Sequence, residues 1–143
     1  MLIGSEAQIK RTDVWIADSG ATSHMVCEDL NMFDCKISNQ HVIVGDGRSL
    51  KVNKTGKLKV SFHNNQGDKS EVLLEEVKYI PELKVNLFSI PVALKKGAKV
   101  KSQGTTLILE KDNKKISFDH KIPIGAKMER KNDECLIINE KRR

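Results

Sequence analysis

The chain has 143 residues, of which 38% are hydrophobic and 31% are charged, and this composition suits one compact domain, with or without a tail. Val, Ile and Leu recur in short runs, which argues against intrinsic disorder. The net charge of +6 is spread over scattered lysines and only 4% of the residues are aromatic, so we expect nucleic-acid binding to be at most weak and non-specific.

Membrane insertion and metal-dependent architectures are also disfavoured. No apolar run approaches the roughly 18 residues that a membrane helix needs, and the first residues do not resemble a signal peptide. The three cysteines, Cys27, Cys35 and Cys135, are an odd number at uneven spacing, which argues against a disulfide framework or a four-ligand zinc site. We therefore expect an intracellular, cytoplasmic protein with no membrane partner, no metal and no cofactor.

The first half of the chain reads as β-structure. Residues 14–17 form a short apolar run that Asp18-Ser19-Gly20 ends. Residues 41–44 and 49–52 flank Gly45-Asp46-Gly47, and this pattern predicts a hairpin because glycine accepts the positive φ angles of a tight turn. Only residues 28–33, which we expect to form about one helical turn, interrupt the strands.

The second half continues the pattern of strands. Residues 58–62 alternate apolar and polar side chains, as a half-buried strand does, and turn residues at 63–68 separate them from the apolar run 72–74. A short helix is predicted over 90–97, with Pro91 in its first turn and Gly97 as its C-cap. A second hairpin is predicted over 106–118 and a last strand over 135–138.

Asp18 is the first candidate for chemistry, because a carboxylate at the end of an apolar strand is poorly solvated. Read alone, Asp18-Ser19-Gly20 is also compatible with an ordinary capped turn. The longer string from Trp15 to Met25, Trp-Ile-Ala-Asp-Ser-Gly-Ala-Thr-Ser-His-Met, is more specific. It resembles the active-site signature of copia-type (Pseudoviridae-like) LTR-retrotransposon aspartic proteases, a branch of the retropepsin-like family.

A second segment carries the same resemblance. Residues 79–90, Tyr-Ile-Pro-Glu-Leu-Lys-Val-Asn-Leu-Phe-Ser-Ile, are similar to the family's Tyr-hydrophobic-Pro and Asn-Leu-Leu-Ser elements, and Gly97 falls where the family's helix ends. The motifs stand in the family's order, with the predicted 41–52 hairpin at the position of the flap. Two separated motifs in the right order are far more specific than a lone triplet. Phe88 and the apolar opening of the helix at residues 90–93 depart from the commoner pattern.

The resemblance implies an all-β, retropepsin-like closed β-barrel or sandwich subunit with a flap hairpin and one short helix. It also implies an aspartic endopeptidase that cleaves the Gag-Pol polyprotein or a peptide substrate as a homodimer, with Asp18 from each chain as the catalytic pair. Ser19, Gly20 and Ala21 would form the active-site loop. The substrate-binding flap would consist of Ile43, Val44, Gly45, Asp46 and Gly47, closing over an extended peptide.

Several of these residues also have simpler structural interpretations. The flap residues also suit a plain surface hairpin, and the Ser19 hydroxyl a solvated turn. We expect a structural hydrogen bond from His24 behind the active loop, and core positions for five apolar residues: Trp15, Ile16, Leu87, Phe88 and Ile90. Cys27 and Cys35 have no partnered His motif, so ordinary thiols are the default.

Three segments are predicted: an N-terminal segment at 1–13, the protease core at 14–100 and a C-terminal β extension at 101–143. From about Ala98 the chain suits extra strands on the protease, a dimer-stabilising segment or the start of the next polyprotein region. Two alternatives to a protease stay open. One is a catalytically weak or silent module for dimerisation or peptide binding, and the other is a nucleic-acid-associated fragment that uses the basic C-terminus.

Overall fold

A computed structural model describes residues 14–63, 69–104 and 106–119. Within these ranges the chain is almost entirely strand, with one helix of six residues, α1 (Ile90–Lys95). The all-β prediction and the single short helix are confirmed. The turn was predicted over 63–68, but His63 is the last residue of β6. Residues 64–68 and the predicted last strand at 135–138 lie outside the described residues.

Six strands form the main sheet, in the order β1-β8-β2-β7-β6-β3. They are β1 (Trp15–Asp18), β2 (Met25–Val26), β3 (Phe33–Ile37), β6 (Lys54–His63), β7 (Lys69–Tyr79) and β8 (Asn86–Ser89). Two of the pairings are parallel, β1 with β8 and β2 with β7. The order ends at β1 and β3, and no pairing joins these two strands within the described residues.

The predicted 41–52 hairpin is present as a separate pair of strands. It consists of β4 (His41–Ile43) and β5 (Ser49–Lys51), with Val42 opposite Leu50. The turn closes through a hydrogen bond of 2.8 Å from the Gly47 N–H to the Val44 carbonyl. Gly47 has a φ of +89°, the left-handed conformation for which glycine was expected here.

A three-stranded sheet follows α1. It contains β9 (Lys99–Gln103), β10 (Thr106–Lys111) and β11 (Lys114–Asp119), so the predicted second hairpin is confirmed. Its turn places Asp112 and Asn113 at φ values of 50° and 67°, where short polar residues are tolerated.

Two apolar clusters hold the strands together. The larger buries Val26, Leu58, Leu74, Val77, Phe88, Leu109 and Ile116, and therefore joins the main sheet to β10 and β11. Phe88 packs against Phe62 and Phe118, with ring centroids 5.9 and 5.4 Å apart. The smaller cluster buries Met25, Leu50, Val52 and Ile80, and it anchors the hairpin to the main sheet. The described strands after Ala98 thus pack on the same core as the rest.

The predicted helical turn at residues 28–33 is wrong. A single hydrogen bond of 3.2 Å from the Met32 N–H to the Asp29 carbonyl closes a turn, and Asn31 has a φ of 70°, which stops any helix. Phe33 already belongs to β3. The one helix in the described ranges, α1, is too short to cross a membrane.

Candidate active site

Asp18 lies at the end of β1, directly beside β8. The two strands are parallel, and Asp18 is in register with Ser89. Its Oδ1 accepts a hydrogen bond of 2.7 Å from the Gly20 N–H, so the carboxylate shapes the loop that follows it. A methyl group added at Gly20 would lie 3.4 Å from the same oxygen. The lack of a side chain at Gly20 therefore keeps this face of the carboxylate open.

A buried Ser89 hydroxyl holds the other side of the loop. Ser89 Oγ donates to the Ala21 carbonyl at 2.6 Å and accepts from the Val92 N–H at 3.2 Å, which makes Ser89 the N-cap of α1. Ser89 is fully buried. One hydroxyl thus ties the active-site loop to the start of the helix, as small hydroxyl residues do at helix N-caps.

His24 completes this support from behind, as expected from the sequence. Its Nδ1 accepts a hydrogen bond of 2.9 Å from the Ser89 N–H, and its ring lies 4.7 Å from that of Phe88. Burial, together with a smaller effect of the charge of Lys96, lowers the pKa of His24 to about 4. The imidazole is therefore neutral at pH 7, and the Ser89 contact assigns its proton to Nε2.

An ion pair stabilises the exposed tip of the hairpin. The Asp46 carboxylate accepts from the backbone N–H of Arg48 at 3.0 Å and pairs with its guanidinium at 2.9 Å. The hydrogen bond from the Arg48 backbone is the main cause that lowers the pKa of Asp46. Ile43 is 69% exposed, which is unusual for an isoleucine in a strand.

A cleft of about 810 Å³ lies between the Asp18 loop and the hairpin. Most of the predicted site residues line it: Asp18, Gly20, Ala21, Ile43, Val44, Gly45 and Gly47. Ser19 and Asp46 do not belong to the lining, and both are exposed. A carboxylate and a glycine-tipped hairpin, 27 residues apart at Asp18 and Gly45, therefore face one cavity.

Seven other residues of the lining had no predicted role in binding: Thr22, Met25, Gln40, His41, Val42, Lys78 and Leu87. Leu87 was assigned to the core, and it both packs against the smaller apolar cluster and faces the cleft. Phe88 is buried as expected, whereas Trp15, Ile16 and Ile90 are half-buried. The alternation of side chains along β8 could have signalled that Leu87 and Phe88 point in opposite directions.

No disulfide joins the two described cysteines, Cys27 and Cys35. Cys27 Sγ lies 3.4 Å from Asn86 Oδ1, and Cys35 is exposed on β3. Across the described ranges, no three His, Cys, Asp or Glu side chains are grouped as a metal site requires. Of the titratable residues that line the cleft, Asp18 is the one carboxylic acid. The other titratable residues of the lining are His41 and Lys78.

The sequence that forms this cleft matches a known protein family. Residues 15–98 match the family described as "Pol polyprotein, beta-barrel domain". Over 91 residues the chain is 30% identical to the putative transposon Ty5-1 protein of Saccharomyces cerevisiae. That stretch covers 62% of this chain and 56% of the yeast protein, so the chain spans about half the length of this curated relative. No solved structure matches the chain.

The matched segment contains the Asp18 loop, the hairpin, β8 and α1, which together form the cleft and its buried support. It covers more than half of the 143 residues. The chain therefore belongs to the Pol polyprotein β-barrel domain family and corresponds to a region of a Ty/copia-like retrotransposon polyprotein.

Proposed function

We propose that this domain is the subunit of a homodimeric aspartic endopeptidase that cleaves its own retrotransposon polyprotein. The observation that carries the proposal is the position of Asp18 in a cleft faced by the β4–β5 hairpin. The cleft has the dimensions of a ligand pocket, and its hairpin offers backbone groups to an extended peptide. The resemblance of residues 15–25 to copia-type proteases supports the same assignment.

One subunit supplies a single carboxylic acid to the cleft, and the reaction needs two, so the proposal requires a dimer with Asp18 of each chain near the two-fold axis. Two carboxyl groups about 3 Å apart cannot both ionise cheaply and share one proton, as in aspartic proteases generally. The Gly20 N–H bond to Oδ1 would keep each carboxylate in a fixed orientation.

The proposed reaction is the addition of water to the peptide carbonyl. The ionised Asp18 takes a proton from water as its oxygen bonds to the carbonyl carbon, and the protonated Asp18 gives its proton to the carbonyl oxygen. In the second half, the C–N bond of the diol intermediate breaks and the leaving nitrogen receives the proton held by one Asp18. A hydroxyl of the diol returns its proton to the other Asp18, which forms the product carboxyl group and restores the singly protonated pair. Activity should therefore have a bell-shaped, acidic pH profile that belongs to the pair of carboxyl groups.

The hairpin would close over the substrate. Residues 43–47 provide glycines at the tip, which let the backbone approach a peptide closely, and an exposed Ile43 that closure would bury. A methyl group added at Gly47 would meet no atom within 4 Å, so the space above the turn is open in the single chain. Ser19, exposed in the single chain, would bond across the dimer.

The test compares wild type with Asp18→Asn and with Asp112→Asn, a matched change at an exposed turn outside the cleft. Each protein, fused to flanking polyprotein, is incubated from acidic to neutral pH with and without pepstatin. We expect discrete, pepstatin-sensitive cleavage whose specific activity rises with protein concentration. Asp18→Asn should lose about 100-fold or more, whereas Asp112→Asn should match wild type. Cleavage by Asp18→Asn at the wild-type rate would refute the proposal.

A peptide-binding module is the second candidate, because a lone subunit holds only half of a catalytic pair. On this alternative the cleft binds peptides without hydrolysing them. Sedimentation shows whether the protein is a dimer under the conditions of the cleavage assay. A dimer that binds peptide but does not cleave it at any pH would favour the binding module over the protease.

A further inference from the structure

The lining of the cleft contains one carboxylic acid, Asp18, and one lysine, Lys78. Apart from Asp18, its titratable lining residues are His41 and Lys78, and every other lining side chain is neutral. Lys78 lies on β7 opposite Met25 of β2, and its backbone N–H donates to the His24 carbonyl at 2.9 Å. Its position is thus set by the strands that carry the Asp18 loop, and its side chain is half-buried.

Within the described residues, ion pairs occupy some lysines but not Lys78. Lys54 of β6 pairs with Asp29 at 2.8 Å, and Lys96, at the C-terminal end of α1, pairs with Glu75 at 2.8 Å. No carboxylate pairs with Lys78 in this way anywhere in the described part of the chain. The acid of the hairpin is not available either, because Asp46 is paired with Arg48.

We propose that Lys78 is a specificity-determining residue, and that the cleft favours peptides with an Asp or Glu side chain close to the scissile bond. This rests on the proposed function, because it assumes that the peptide binds in the cleft beside Asp18. Side chains of an extended peptide alternate between two faces, so Lys78 would contact the side chain at one substrate position. The preference should therefore depend on that position and not on the net charge of the peptide. A half-buried cation gains more from an acidic partner than a fully exposed one and is less screened by salt.

The size of the effect is modest. A partly exposed ion pair contributes up to about fivefold in binding. We therefore expect about a fivefold preference for Glu over Gln at one substrate position, expressed mainly in KM because the pair forms when the peptide binds. Raising the ionic strength should reduce the preference.

The experiment measures kcat/KM for peptide pairs that differ by Glu or Gln at each position around a mapped cleavage site. The proteins are wild type, Lys78→Gln, Lys78→Glu and, as a matched control, Lys59→Gln, an exposed strand lysine outside the cleft. Lys78→Gln should abolish the preference for Glu over Gln, and Lys78→Glu should reverse it so that the Gln peptide is preferred. Lys59→Gln should behave as wild type.

Binding of the same peptides to the Asp18→Asn variant, followed by fluorescence anisotropy, separates the two proposals. Cleavage without a Glu preference, or with a preference that survives in Lys78→Gln, overturns the role of Lys78 and leaves the protease intact. Charge-selective binding through Lys78 with no cleavage by wild type overturns the protease and supports Lys78. If wild type neither cleaves nor binds any peptide, both proposals are wrong.

Discussion

The buried His24 imidazole predicts that acid destabilises the fold before most carboxylates are protonated. The pKa of His24 falls from 6.5 in the unfolded chain to about 4 in the fold, because burial disfavours the charged ring. Between these pH values the unfolded state binds the additional proton, so the free energy of unfolding decreases as the pH falls from 6.5 towards 4. Above 6.5 the ring is neutral in both states and this effect is absent.

The magnitude follows from the same two values. Each pH unit in the interval costs about 1.4 kcal/mol, so the full loss is about 3 kcal/mol, most of it reached by pH 4.5. That is a large share of the about 5–15 kcal/mol by which small domains are stable. The neutral ring also accepts the Ser89 N–H at Nδ1, and a protonated ring cannot do so.

The assay is urea unfolding at pH 7.5 and pH 4.5, followed by the fluorescence of Trp15, the one tryptophan of the chain. His24→Asn is the informative variant, because its amide oxygen can accept the Ser89 N–H and does not titrate. The smaller side chain should lower stability at both pH values, but the loss between them should be about 2.5 kcal/mol smaller than in wild type. The same carboxylates are present in both proteins, so their contribution to the pH dependence cancels when the two losses are subtracted. Equal losses in the two proteins, or an NMR titration of His24 near pH 6.5, would refute the reasoning.

Two further substitutions test the packing around the site. Ser89→Ala removes the hydroxyl that holds Ala21 and caps α1, and should lower the free energy of unfolding by about 2 kcal/mol. Urea unfolding measures this loss, with Ser61→Ala, a change at an exposed strand serine, as the control. Equal stability of the two variants would contradict the prediction. Gly56→Ala places a methyl group 2.6 Å from Cys35 Sγ and 2.9 Å from the Phe33 carbonyl oxygen, and should cost about 1–3 kcal/mol. Because the second clash is with the backbone, adding Cys35→Ala to Gly56→Ala should recover only part of the lost stability. Full recovery in this double variant would contradict the prediction.

Local sequence signals located the elements that position the candidate site. The apolar run before Asp18 predicted β1, Gly45-Asp46-Gly47 predicted the hairpin, and Pro91 with Gly97 predicted the limits of α1. Each of these signals acts within a few residues, through turn chemistry or hydrophobic patterning, so that a single sequence suffices to read it.

Elements and contacts that depend on distant parts of the chain were not predictable. All five residues of β3 are exposed, so this strand has no buried face and no alternation to detect, and it forms because β6 pairs with it. Lys78 enters the cleft through the parallel pairing of β7 with β2, which brings together residues more than fifty positions apart. Such pairings are set by the tertiary fold rather than by local pattern.

The hydrogen bonds from Ser89 to His24 and Ala21 join residues 65 and 68 positions apart. They can form only after the chain has been synthesised as far as Ser89. During synthesis, the loop that carries Asp18 leaves the ribosome long before β8 and the first turn of α1 exist to hold it. Because contacts of such sequence separation form late, the nascent domain passes through a period in which Asp18 is present but its loop is not yet held by Ser89. Translation itself would thus delay the onset of any hydrolysis until the sheet is complete.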